Sequence, residues 1–333
     1  MKINFKITTE CPACCKCCQE RLNNYKKNSN RFKPDYRVYE KIIDLLLKCG
    51  DSVNSISITG GEPSIITELP EIVKMFTKEG IRVGIDTNGW NVTDVWLSKM
   101  EQAGLDYILI SFYSKNKETF DKLRGSENTL LFDRAFCALQ SLKKLKENNS
   151  TINVRQQVIL LKENYKEIPN LLRMALEFQF DAFSTAYFIS ATEDKTLTMN
   201  QEDIDIFKTD VVHQIRQILY DSKLDTKIIE ENEKRLAEFF VFGNQSIDQI
   251  AHGLYRNKNS MCNEKNKIVI YPNGDVVPCT GYDYIMEQIS EVNILESNYN
   301  QIMQSTLFSS FWTKQFALCE RCSNGFQVWL NLK

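Results

Sequence analysis

The stretch INFKITTECPACCKCC, residues 3–18, decides the reading of this chain. Ile3 to Thr8 reads as a strand, and directly after it five cysteines, Cys11, Cys14, Cys15, Cys17 and Cys18, fall within eight residues. Outward from there a strand and helix beat repeats. A helix capped by Asp35 carries Tyr39, Ile42, Ile43 and Leu46 on one face and runs to Cys49, where Gly50 stops it. Val53 to Thr59 is a strand, and Leu69, Ile72, Val73 and Phe76 stripe a helix ending at Gly80. Strand Ile81 to Asp86 follows, then a helix through Val92, Val95, Trp96 and Met100, closed by Gly104, and strand Leu105 to Phe112. Helix Leu131 to Leu145, strand Ile152 to Leu161, helix Tyr165 to Leu176 and strand Ala182 to Phe188 complete six alternations. Parallel strands joined by helices are the expected result.

After residue 190 the rhythm changes. Asn200 can cap a helix carrying Ile204, Phe207, Val211, Ile215 and Ile218, a second helix runs near Ile228 to Phe242, and a shorter one spans Ile247 to Tyr255. Phe239, Phe240, Val241 and Phe242 cannot all face one side of a helix, so this insertion is expected as core between domains, with a lid over the barrel opening as the alternative. Beyond it, Lys267 to Ile270 and Asp275 to Val277 flank Asn273 and Gly274, a strong hairpin signal. The expected organisation is an α/β partial barrel over residues 1–190, a helical insertion over 191–260 and a small cysteine-bearing domain with a β-hairpin over 261–333.

Composition narrows the chemistry. The chain has 333 residues, 43% hydrophobic and 25% charged, the balance of a globular protein with a large core. A formal net charge of -2 provides no overall positive field for nucleic acid or anionic lipid, and neither is expected as a partner. The N-terminal run has no apolar signal core, and no stretch approaches the roughly 20 apolar residues of a membrane helix, so a cytoplasmic location is expected. Eleven cysteines, an odd number, then point to metal or redox chemistry rather than disulfides. With only His213 and His252 present, histidine acid and base chemistry is thinly supplied.

The spacing of the first cysteines can be tested register by register. A bacterial ferredoxin run starts at Cys11, Cys14 and Cys17 but needs a cysteine where Arg21 stands. The spacing C-x-x-x-C-x-x-C is met by Cys11, Cys15 and Cys18 and by no other three. Three protein ligands leave one iron of a four-iron, four-sulfur cluster open, as catalytic metal sites keep one position free.

With Gly60-Gly61-Glu62-Pro63 ending the second strand and Asn88-Gly89 following the third, the chain resembles the radical S-adenosylmethionine (SAM) superfamily. That resemblance implies a partial (β/α)6 TIM-like barrel. It also implies an oxidoreductase whose cluster on Cys11, Cys15 and Cys18 reductively cleaves SAM to a 5'-deoxyadenosyl radical, which abstracts a substrate hydrogen. The family usually places an aromatic residue where Cys17 stands. Glycines 60 and 61 let the backbone turn tightly and approach a ligand, and Glu62 can accept hydrogen bonds from an ammonium group. Asn88 and Ser111 match positions used for the ribose and methionine parts of SAM. Arg124, in KLRG, resembles an arginine that meets the SAM carboxylate, with a solvated helix-end arginine as the alternative. Arg155 and Gln157 share one face of their strand, turned to the cofactor unless that strand is an edge.

Cys262, Cys279, Cys319 and Cys322 could by themselves bind structural zinc. In this company they resemble the twitch domain, a shortened SPASM domain that holds one auxiliary four-iron, four-sulfur cluster. Cys14 and Cys17 are read as spare loop residues, with a resolving pair or hydrogen donor as the alternative; Cys49 and Cys137 are read as small hydrophobes. Twitch-bearing relatives act on peptides or on small molecules such as aminocyclitols, and peptide epimerases carry a donor cysteine where Thr280 stands here. Oxidative modification of a ribosomally made peptide, a crosslink or a dehydrogenation, is the favoured expectation. The alternatives are an aminocyclitol-like dehydrogenase, a peptide epimerase, or a non-catalytic iron-sulfur or zinc protein. A reductant such as flavodoxin or ferredoxin is the expected electron donor. Any leader peptide is expected on a separate protein or on the insertion.

Overall fold

Phe5, Ile58, Ile85, Ile108 and Val154 stand in one register row across five parallel strands, and each is fully buried. The strands are β1 (Lys2–Thr8), β2 (Ser55–Gly60), β3 (Arg82–Thr87), β4 (Tyr107–Ser111), β5 (Asn153–Leu160) and, beside it, β6 (Ala182–Tyr187). The computed structural model describes residues 2–18, 36–48, 55–125, 130–188, 196–239, 241–242, 245–246, 267–279, 292–311 and 327–333. Burying each side chain of that row contributes roughly 1.5–3 kcal/mol. The opposite face carries Lys6, Thr59, Asp86, Arg155 and Gln157. A one-residue slip would exchange the two faces and set these polar groups against the helices, so the pattern pins the register.

The apolar face is covered by α1 (Tyr36–Lys48), α2 (Leu69–Lys78), α3 (Asp94–Gln102), α4 (Lys117–Arg124), α5 (Leu131–Glu147) and α6 (Ile168–Glu177). Their apolar stripes do the covering, as Leu69, Ile72, Val73 and Phe76 of α2 show. Helix α4 interrupts the simple alternation between β4 and α5. It starts at an Asn116 cap and ends where Gly125 turns left-handed at φ 55°. The helix expected from Tyr165 opens as a 3-10 turn, Tyr165–Glu167, before α6. Strand β5 lies between β4 and β6, so the edge-strand alternative for Arg155 and Gln157 is removed.

The later strands extend the same sheet. The expected hairpin forms from β9 (Lys267–Ile270) and β10 (Val276–Val277), with Gly274 at φ 88°, and β9 pairs parallel to β1. Strand β11 (Gln327–Asn331) pairs antiparallel to β6. The sheet order is β10-β9-β1-β2-β3-β4-β5-β6-β11. Both edges of the six-strand barrel are thus covered by segments expected as a separate small domain, because β1 and β6 alone would present open rows of N–H and C=O groups. The Lys6 ammonium, buried on the inner face, donates to the Tyr271 hydroxyl at 2.9 Å and ties β1 to the end of β9.

In the insertion, α7 (Gln201–Ile206) passes through a π segment, Phe207–Val211, into α8 (Val212–Asp221), which packs on α6. Helix α9 (Thr226–Phe239) lies along β11. Two short strands, β7 (Val241–Phe242) and β8 (Gln245–Ser246), pair with each other, and α10 (Tyr299–Gln304) and α11 (Thr306–Phe311) precede β11. The expected helix at 247–255 lies outside the described residues. Cys137, expected as a small hydrophobe, is exposed on α5. Among the described residues no helix is long and apolar enough to cross a membrane.

Candidate active site at the carboxyl ends of the strands

The cysteine loop leaves β1 and is held from both sides. On one side, Gly61 N–H donates to the Thr8 carbonyl at 2.7 Å and Glu62 N–H to the Glu10 carbonyl at 2.8 Å. A Cβ on Gly61 would sit 2.0 Å from the Glu10 oxygen, and one on Gly60, at φ 126°, 2.4 Å from the Thr8 oxygen. The glycine pair therefore lets the exit of β2 lie against the exit of β1. On the other side, Cys14 N–H donates to the Arg124 carbonyl and Lys16 N–H to the Leu123 carbonyl, each at 3.1 Å. These carbonyls end α4 and lack helical partners, so the loop satisfies them.

Cys11 and Cys18 are half-buried, Cys15 and Cys17 buried, and Cys14 exposed. The Cys11 sulfur accepts from Ala13 N–H and from Asn88 Nδ2, both at 3.4 Å. Cys15 accepts from Arg124 Nη1 at 3.3 Å. The Arg124 guanidinium, 4% exposed, also donates through Nη2 to the Ser111 carbonyl and lies 4.1 Å from the Tyr113 ring centroid. The solvated alternative for Arg124 is overturned by this burial, which the fork geometry and ring stacking of a guanidinium tolerate. Cys17, where the resemblance expects an aromatic, is buried instead beside Tyr113 and Arg124, and burial pushes its thiol up to about 12.

Glu62 is 1% exposed and ties the ends of β2 and β3 together. Its Oε1 accepts from Ser64 N–H at 3.0 Å and from the Thr87 hydroxyl at 2.5 Å, and its Oε2 accepts from Asn88 N–H at 2.6 Å. Burial raises its pKa, with these donors pulling the other way. Asn88 is set by this strut, and its Oδ1 accepts from Trp90 N–H at 3.0 Å. Thr87 and Tyr113 were not singled out in the sequence, although Thr87 directly precedes Asn88 and Tyr113 lies two residues after Ser111.

Along the inner face, Ser111, Gln157, Ser184 and Trp329 share one register row, and Arg155 stands one row below, stacked 4.3 Å from the Tyr107 ring centroid. Cys279 is buried after β10. Since β10 runs antiparallel to β9, the chain leaves it towards the amino ends of the barrel strands, away from the Cys11 loop. Cys49, Cys262, Cys319 and Cys322 lie outside the described residues.

The sequence family described as the Radical SAM superfamily matches residues 5–175, just over half of the chain. The chain belongs to the radical SAM superfamily. Residues 262–324 match SPASM, described as an iron-sulfur cluster-binding domain. A Pyrococcus furiosus protein named tungsten-containing aldehyde ferredoxin oxidoreductase cofactor-modifying protein is 25% identical, over 93% of this chain and 80% of the relative. A PqqA peptide cyclase of Xanthomonas oryzae pv. oryzae is 22% identical, over 84% and 68%. Streptococcus suis SuiB bound to S-adenosylmethionine superposes with a TM-score of 0.67 at 17% identity, covering 97% of this chain and 72% of that chain. SuiB has also been solved with its precursor peptide SuiA.

This radical SAM protein is an enzyme whose cofactors are a four-iron, four-sulfur cluster, SAM and an auxiliary iron-sulfur cluster in the SPASM region. The residues after β1 fit the first of these. The Cys11 thiol is pushed up to about 12, chiefly by burial and to a lesser degree by the charges of Glu62, Cys15 and Cys18, with the Ala13 N–H pulling the other way. Thiols crowded in this way resist ionising unaided, and coordination to iron reverses the balance. Arg124 Nε is buried with no acceptor among the described residues, and a sulfur cluster offers one. When bound, the cluster and SAM together supply a carbon radical that takes a hydrogen atom from substrate.

Proposed function

We propose that this radical SAM enzyme oxidises a ribosomally made peptide, forming a crosslink or a double bond. In this reading Cys11, Cys15 and Cys18 hold the SAM-binding cluster. Gly60, Gly61, Glu62, Asn88 and Ser111 shape the SAM site around it, and Cys262, Cys279, Cys319 and Cys322 hold the auxiliary cluster. The observation that carries the reading is this set of four cysteines, with Thr280 in place of a donor thiol. Four protein ligands leave no open iron for substrate, and the direction of the chain after β10 supports a role away from the attacked atom. Net oxidation would remove two hydrogens from the substrate, one as an atom and one as a proton with an electron left over, and an auxiliary cluster held by these four cysteines would supply the one-electron acceptor. A flavodoxin or ferredoxin fits as the electron donor for SAM cleavage. The peptide choice is supported by likeness to a PqqA peptide cyclase and by the SuiB structure with its precursor peptide.

A small-molecule substrate is the second reading. It is favoured by the cofactor-modifying Pyrococcus furiosus relative, which aligns over most of both chains. Mass spectrometry on peptides encoded beside the gene separates the two, since only the first reading predicts a peptide lighter by two hydrogens. Replacing Cys319 and Cys322 by alanine should leave SAM cleavage measurable and abolish product, with circular dichroism excluding collapse of the fold. Full product from a folded double variant would contradict the electron-acceptor role. A product of unchanged mass with inverted stereochemistry would contradict the oxidation.

A further inference from the structure

Arg124, which the resemblance relates to arginines that meet the SAM carboxylate, is a buried cation with a second set of contacts. Its Nη1 is directed to the Cys15 sulfur and its Nη2 to the Ser111 carbonyl, while its plane lies against Tyr113, with the Phe120 ring centroid at 5.4 Å. The backbone of the same residue accepts Cys14 N–H, so the charge and the loop move as one unit. Among the described residues, the ionisable neighbours that act most on the guanidinium are Cys15, Tyr113 and Cys17. A permanent cation this deeply buried needs an anion, and a metal-bound thiolate at Cys15 is one. The buried Nε with no acceptor among the described residues points to further anionic acceptors beside it.

We propose that Arg124 is a positioning residue whose fixed charge, delivered through the Cys15 sulfur, raises the reduction potential of the SAM-binding cluster and so eases the electron's arrival there. The inference rests on Cys15 being a ligand of that cluster. Its sign follows from charge: reduction makes the cluster more negative, and a cation a few ångströms away stabilises the reduced state more than the oxidised one.

The test is a redox titration of the reconstituted full-length enzyme, followed by electron paramagnetic resonance, with the SAM-responsive signal assigned to this cluster and the auxiliary signal as internal reference. In Arg124→Gln, with iron content retained, the ratio of reduced to oxidised SAM-binding cluster at a fixed potential should fall about tenfold, equivalent to ~59 mV for one electron. Arg124→Lys keeps the charge and should stay within about threefold of the parent, while the auxiliary cluster does not shift in either variant. An unshifted Arg124→Gln, or an Arg124→Lys displaced as far as the glutamine variant, would overturn the proposal. Should the glutamine variant lose its cluster, the parent enzyme grown with 15N-arginine decides. Electron-nuclear spectroscopy of its reduced cluster should show a nitrogen coupling, and its absence overturns the proposal. A parent enzyme with no SAM-responsive signal would overturn the ligand assignment itself, an outcome distinct from an intact signal that does not move.

Discussion

At the scale of the residue, Glu62 shows how a motif can be read correctly in place and incompletely in role. The glycines before it were legible as sites of close backbone approach, but what they approach is the cysteine loop itself, through Thr8 and Glu10, residues far away in sequence. Glu62 was legible as an acceptor, and both of its oxygens are occupied by Ser64, Thr87 and Asn88. Ser64 is a local partner, but local spacing cannot show Thr87 and Asn88, which lie at the end of another strand. Glu62→Ala leaves two N–H groups and one hydroxyl without their buried acceptor, each worth about 1–3 kcal/mol. The expected loss of stability is therefore at least about 3 kcal/mol by chemical denaturation of the reconstituted enzyme, with iron retained and SAM affinity lowered because Asn88 loses its support. A variant as stable as the parent would show that the carboxylate is not a strut.

At the scale of the element, the six alternating strands and their helices were legible because each strand buries one face and each helix one stripe, a local pattern. The hairpin was legible from its Asn273-Gly274 turn pair, also a local signal. The docking of that hairpin on β1, and of β11 on β6, was not, since pairing such as Ile3 with Ile268 is decided by the two sheet edges and not by either segment alone. The insertion is explained at this scale too. Asn232 on α9 is fully buried; its Nδ2 donates to the Asn331 carbonyl and its Oδ1 accepts Asn331 N–H, both at 2.8 Å. Arg235 adds a bond of 2.9 Å to the Trp329 carbonyl. The helix thereby caps the β11 edge of the sheet at Trp329 and Asn331. Asn232→Leu removes both bonds and should cost about 2 kcal/mol. Hydrogen exchange at the Asn331 amide should accelerate while SAM cleavage persists; unchanged exchange there would contradict the capping role.

At the scale of the whole molecule, the apolar outer face binds the sheet to its helices and the polar inner face is left for chemistry. The strands' carboxyl ends bring together three segments widely separated in sequence: the cysteine loop, the Gly60–Glu62 turn and Asn88. The hydrogen bonds of Glu62 N–H to Glu10, Asn88 N–H to Glu62 and Asn88 Nδ2 to Cys11 close these three into one ring of contacts. Family membership makes the chain a radical SAM enzyme, and we propose that this ring holds the cluster that cleaves SAM. The most direct measurement is 5'-deoxyadenosine released after anaerobic reconstitution with iron and sulfide, addition of SAM and a strong reductant, for the parent and for the variant with Cys11, Cys15 and Cys18 all replaced by alanine. The parent should release it, and the variant should release none while keeping the iron of its auxiliary cluster. Release by the triple variant at the parent's rate would contradict the assignment.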